Sequence, residues 1–181
     1  MIDVEAVIQR LYQRYGAELE RNVSDEDLRA FQEWSKRFNI TGWEGWFCPE
    51  TRFYDKVLEL VSPDDVVYDA CAGALFLSLR LSQKCRKVYA VEINPNVLGW
   101  ALETIGFDMP TNLIAICGDA LKMPLPPDVT KIILLHIHLE KPLPQSWRSK
   151  PIITSIGGRL RIWNPEKEEW LTLNSPSLLM R

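Results

Sequence analysis

Long apolar runs, excess positive charge and paired cysteines are all missing from this chain of 181 residues. No apolar stretch approaches the ~18 residues of a membrane-spanning helix, and no signal-peptide pattern opens the sequence, so a soluble, cytoplasmic protein without a membrane partner is expected. Lys and Arg number 21 against 24 Asp and Glu, a net charge of −3. With no global basic field, free nucleic acid is disfavoured as a partner and would need a local patch. Cys48, Cys71, Cys85 and Cys117 form no C-x-x-C pair and read as reduced thiols. The G-x-G-x-x-G spacing that admits a dinucleotide pyrophosphate is absent, as are internal repeats and low-complexity tracts.

What remains is an ordinary globular composition, 46% apolar, enough for one domain with a sizeable core. Its informative stretch runs VVYDACAGALFLSLRLSQKCRKVYAVEIN, from Val66 to Asn94. Val66, Val67 and Tyr68 are strand formers closed by Asp69, and Ala70-Cys71-Ala72-Gly73-Ala74 follows with little side chain to obstruct a ligand. Val88 to Val91 makes a second apolar run ending in Glu92, and Asn94-Pro95 supplies an N-cap and a proline for the first helical turn. Glu92 lies about 20 residues beyond Asp69, where an acid ending a second parallel strand can accept from both hydroxyls of a ribose. The pattern predicts a β-α-β unit with an adenosine-type ligand. Between the two strands Leu75, Leu77, Leu79 and Leu81 alternate with other residues as a strand would. The crossover that parallel strands require makes this segment a helix.

Asn112 to Cys117 adds a third strand running into Gly118-Asp119-Ala120. In the strand-Asp-small loop-Gly73, in VYAVEINP and in ICGDAL, the chain resembles the class I S-adenosylmethionine-dependent methyltransferases over about residues 51–138. The resemblance implies a three-layer α/β Rossmann-like methyltransferase fold with a mostly parallel sheet, and S-adenosyl-L-methionine as cofactor. It also assigns roles. Asp69, Ala70, Cys71, Ala72 and Gly73 form the loop under the methionine end, and Glu92 holds the ribose hydroxyls beside Asn94. Ile93 packs on adenine, Asp119 between Gly118 and Ala120 accepts from the adenine amine, and His136 completes the cofactor set. Such loops usually carry two or three glycines, and here Cys71 and Leu75 occupy two of those places.

The flanks divide into an N-terminal helical extension with an aromatic loop, residues 1–50, and the Rossmann-like domain, residues 51–181. Val4, Ile8, Leu11 and Tyr15 share a helical face ending near Gly16 or a little later, and Leu28, Phe31, Trp34 and Phe38 predict a second helix after Ser24. Trp43, Trp46 and Phe47 stand between glycines. Thr51 can cap a helix through Val61, and Leu98, Ala101, Leu102 and Ile105 stripe another that stops at Gly106. A fourth strand is expected from Lys131 to about His138. Beyond it the spacing leaves room for barely one helical turn before Ile152–Ile156, where the family places a helix. An antiparallel hairpin, Arg159–Trp163 and Trp170–Leu173, closes the sheet.

His136, His138 and Glu140 alternate on one strand face at its end. No fourth ligand accompanies them, so no metal is expected; His138 and Glu140 are instead the candidate catalytic residues, a histidine there being able to act as general base. The activity that follows from the resemblance is methyl transfer to an unidentified small-molecule or partner-presented protein acceptor. A non-catalytic S-adenosyl-binding protein and a polyamine- or nicotianamine-like condensing enzyme are the alternatives. The oligomeric state stays open.

Overall fold

In the computed structural model, residues 2–22, 29, 53–135, 143–156 and 159–173 are described. The elements run α1 (Val4–Asn22), α2 (Tyr54–Glu59), β1 (Val66–Ala70), α3 (Phe76–Ser82), β2 (Lys87–Glu92), α4 (Pro95–Ile105), β3 (Leu113–Cys117), β4 (Lys131–Leu134), β5 (Ile152–Ile156), β6 (Arg159–Asn164) and β7 (Glu169–Thr172). One seven-stranded sheet holds them in the order β3-β2-β1-β4-β5-β6-β7. The first five strands are parallel and β6 and β7 return antiparallel. This is the α/β architecture expected from the β-α-β stretch.

The sheet begins from a central pair: β1 is buried along its whole length, as a parallel strand covered on both faces must be. Its alternate residues supply two cores. Val67 looks to a cluster containing Val88, Ile133 and the apolar stripes of α1 to α4. Val66, Tyr68 and Ala70 look to the other, with Ile132, Leu134, Ile152 and the fully buried Trp147. Among the described residues all four α-helices belong to the first core. The second is completed by residues of the loop after β3, including Ala120 and Val129, and by a 3-10 turn, Gln145–Ser149. That single turn stands where the family places a helix, as the short spacing predicted.

Local rules account for the helix ends. Asn94 caps α4, its Oδ1 accepting from Asn96 N at 3.0 Å and Val97 N at 3.4 Å, with Pro95 in the first turn. Gly106 stops the helix at φ +55°, a left-handed conformation that favours glycine. Leu98, Ala101 and Ile105 are buried, but Leu102, expected in the same stripe, is 39% exposed. α1 passes through Gly16, near or a little after which it was expected to end, and runs to Asn22. It buries Val4, Val7, Ile8 and Leu11 in the first core, and Tyr12 stacks on Phe76 of α3 with centroids 4.2 Å apart. The expected second N-terminal helix, Thr51 and the aromatic residues Trp43, Trp46 and Phe47 lie outside the described residues.

Candidate functional site

The crevice of an open parallel sheet lies beyond the carboxyl ends of its strands, where the strand order reverses. Here the order reverses at β1, with β2 on one side and β4 on the other. β1 ends at Ala70, and beside it Glu92 ends β2 and Cys117 ends β3 in register. These ends carry most of the residues the sequence singled out.

Glu92 organises them. Its Oε2 accepts from Gly73 N and its Oε1 from Asn94 N, both at 2.8 Å. One carboxylate thus ties the loop after β1 to the turn before α4. The backbone reinforces the link: Cys71 N and Ala72 N both reach Val91 O, and Gly118 N reaches Glu92 O, each at 2.9 Å. Although Glu92 is only 8% exposed, each oxygen retains a lone pair beyond its single backbone bond, so two further donors such as vicinal hydroxyls can be accepted.

The loop after β1 has a backbone its sequence does not announce. Cys71, Gly73 and Leu75 all take positive φ, at 68°, 55° and 67°. These alternate positions are the glycine places of the resembling loops, and the chain keeps the left-handed turns there with side chains at two of the three. Left-handed backbone costs a non-glycine residue roughly 1–2 kcal/mol. Leu75 offsets this by complete burial in the first core. At Gly73 a Cβ would meet nothing within 4 Å, so the loop presents open space and backbone to a ligand.

Asp69 behaves differently from its expected place under the methionine end. It is buried, and Ser78 Oγ of α3 donates to its Oδ2 at 2.5 Å. Burial pushes its carboxyl up to about 7; the Ser78 bond works against this and the charge of Glu92 adds to it. Ser78 was not singled out from sequence. Its signal was available as a small polar residue within an otherwise leucine-rich helix. Cys71 is similarly affected: burial first, then the charges of Glu92, Asp69 and Asp119, raise its thiol to about 12. Its surroundings disfavour the thiolate, the form that acts as a nucleophile.

On the adenine side, Ile93 is 62% exposed immediately after Glu92, an apolar surface available for a flat ring. Asp119 accepts from Leu121 N at 3.1 Å through Oδ1 and meets Lys122 Nζ at 3.0 Å through Oδ2. Its side chain is 29% exposed. Gly118 precedes it where a Cβ would lie 2.5 Å from Met123 Sδ, forcing that side chain to move. Ala120 is buried, and its carbonyl accepts from Tyr68 OH at 3.3 Å, fixing the loop after β3 to β1. The structure therefore brings Asp69 to Gly73, Glu92 to Asn94 and Gly118 to Ala120 to one end of the sheet. His136, His138 and Glu140 lie outside the described residues. Among the described residues no cluster of His, Cys, Asp and Glu could hold a metal ion, and no helix is long and apolar enough to cross a membrane.

Sheet order, the loop with three left-handed turns and the acid ending β2 are those of a Rossmann-like fold, and the chain is similar to S-adenosylmethionine-dependent methyltransferases. More particularly, it is 33% identical over 95 residues to the probable ribosomal RNA small subunit methyltransferase A of Methanosarcina mazei, covering 50% of this chain and 34% of that protein. It is 36% identical over 95 residues to the corresponding Methanosarcina barkeri protein, covering 50% and 32%. The chain thus spans about a third of the length of these curated relatives. Among solved structures, a SAM-dependent methyltransferase from Aquifex aeolicus superposes with a TM-score of 0.45 at 21% identity, covering 56% of this chain and 62% of that one. No family model matches the chain.

S-adenosyl-L-methionine is the cofactor that the similarity to such methyltransferases implies, and the residues present fit it. Glu92 has lone pairs for the ribose hydroxyls, Ile93 an exposed apolar surface for adenine, and the loop at Gly73 leaves room for the methionine end. When bound, that group supplies a methyl carbon already activated by a sulfonium. One expectation is corrected. Free nucleic acid was disfavoured as a partner on net charge, yet several of the curated relatives are named as RNA methyltransferases. Net charge averages over the whole chain, whereas RNA is read by local stacking and phosphate contacts that a chain of charge −3 can still present.

Proposed function

We propose that this protein transfers the methyl group of S-adenosylmethionine to RNA, releasing S-adenosylhomocysteine. The observation that carries the reading is Glu92. A nearly buried carboxylate bridges Gly73 N and Asn94 N with one lone pair spare on each oxygen, an arrangement suited to vicinal ribose hydroxyls. In this reading Glu92 holds the ribose and Asn94 sets the turn. Ile93 covers one face of adenine, Asp119 takes the adenine amine in exchange for Lys122, and residues 70–73 line the methionine end. His136 borders the cofactor, and His138 and Glu140 face the acceptor. The chain's contribution is chiefly positional, because an activated methyl requires an aligned acceptor more than a strong catalyst. RNA as acceptor is supported by the similarity, over half the chain, to proteins named ribosomal RNA methyltransferases.

The test incubates the purified protein with methyl-labelled S-adenosylmethionine and separate RNA, protein and metabolite fractions. Label in RNA is expected. Label confined to another fraction would overturn the acceptor, and bound cofactor with no labelled fraction would make this a binding protein without transfer.

A further inference from the structure

The outer hairpin carries a surface that the S-adenosyl site does not use. Side chains alternate along a strand, so Arg159, Arg161 and Trp163 share one face of β6. Trp163 pairs with Trp170 across β6 and β7, their rings 5.5 Å apart at 56°, and both indoles remain partly exposed. Trp163 Nε1 donates to the carbonyl of Arg148 at 2.8 Å, which brings the 3-10 turn against the same ring. Arg148 and Arg159 are exposed.

These arginines, like the exposed Arg86 after α3, lack carboxylate partners among the described residues. Arg10, Arg14 and Arg80 each meet an acid. Among the described residues Arg148, Arg159 and Arg161 enter no ion pair. The buried Nε of Arg161 has no hydrogen-bond partner. The acids of the hairpin sit at its far end: Glu169 pairs with Asn164, three residues beyond Arg161 and about 10 Å along the strand. Unneutralised guanidinium groups beside two tilted indoles offer phosphate contacts and base stacking together, the combination by which single-stranded nucleic acid is held.

β6 stands three strand spacings from β1, about 14 Å at the usual separation. Arg159 opens β6 opposite Ile156, which ends β5, and so lies at the same end of the sheet as the S-adenosyl site, whereas Trp163, opposite Ile152 at the start of β5, and Trp170 beside it lie towards the other end, so the face runs along the strand away from that site. We propose that Arg148, Arg159, Arg161, Trp163 and Trp170 form a docking face for a single-stranded segment of the acceptor RNA. This rests on the reading of RNA as acceptor.

Two variants separate this face from that reading: Arg148→Gln combined with Arg159→Gln, both at exposed positions, and Trp170→Ala. Binding of a fluorescently labelled mixed-sequence single-stranded RNA decamer is measured by anisotropy over a salt series, and S-adenosylhomocysteine binding by calorimetry. The double variant is expected to weaken RNA binding tenfold or more. Its slope of log affinity against log salt should fall by about 1.4, at ~0.7 per lost phosphate contact. Trp170→Ala should weaken binding with little change in slope, and S-adenosylhomocysteine affinity should be unchanged in both. Wild-type RNA binding that the double variant leaves intact would overturn the docking face and leave RNA as acceptor standing. No binding of the decamer by the wild type at low salt would overturn both. An equal loss of S-adenosylhomocysteine affinity would assign the arginines to the fold or the cofactor pocket.

Discussion

Glu92 concentrates three jobs in one side chain: it closes β2, fixes the loop at Gly73 and faces the crevice. Glu92→Ala removes charge-assisted bonds of about 1.5–3 kcal/mol each, so S-adenosylmethionine affinity should fall tenfold or more by calorimetry. Unchanged affinity would mean that the ribose lies elsewhere. Asp69 makes a pH-dependent prediction. Its folded carboxyl is raised to about 7 from 3.8, so between those values the folded state holds a proton that the unfolded state has released. Stability from this group is then full below about pH 4 and declines as pH rises towards 7. Asp69→Asn cannot ionise and can still accept from Ser78. It should therefore raise the melting temperature at pH 8 and change it little at pH 4; equal shifts at both would show that Asp69 is already charged. At Cys71 the left-handed backbone favours Cys71→Gly over Cys71→Ala by about 1 kcal/mol. Chemical denaturation of the pair reads that difference directly.

Among the elements, α1 packs as part of the first core. Ile8 is completely buried, and Ile8→Ala should cost about 2–5 kcal/mol in denaturant unfolding; a loss below 1 kcal/mol would show that α1 docks loosely. The surface ion pairs Arg10–Asp108 and Arg14–Glu103 add little at their exposure. At this scale much of the protein was legible in the sequence, and for identifiable reasons. Asn94-Pro95 and Gly106 bracket α4 because capping and left-handed termination are local requirements. The alternating leucines of α3 were resolved by topology alone. The left-handed turns at Cys71 and Leu75 were hidden because only glycine advertises positive φ, and here tertiary burial holds a leucine in that conformation. Asp69 was placed by its position in a motif, but its direction depends on Ser78, nine residues away. The end of α1 was legible only to within a turn or two of Gly16, because one glycine weakens a helix by about 1 kcal/mol without ending it.

For the whole molecule, ligand binding and folding should be linked. S-adenosylhomocysteine at 100 times its Kd contributes about 2.7 kcal/mol, roughly 5 to 10 °C in melting temperature for a chain of this size. A melting curve unmoved by millimolar ligand would remove the central assignment. The wiring of the sheet also gives its halves different histories during folding. Only residues 157 and 158 separate β5 from β6, and only residues 165–168 separate β6 from β7, whereas β1 must find β4 across an intervening stretch of about sixty residues. Short hairpins close in microseconds, while distant parallel pairing waits on loop-closure entropy. In pulse-labelled hydrogen exchange, amides of β6 should gain protection before those of β1. The outer meander would then be a preformed edge onto which the S-adenosyl-binding half condenses, so that slow refolding should reside in the pairing of β1 with β4.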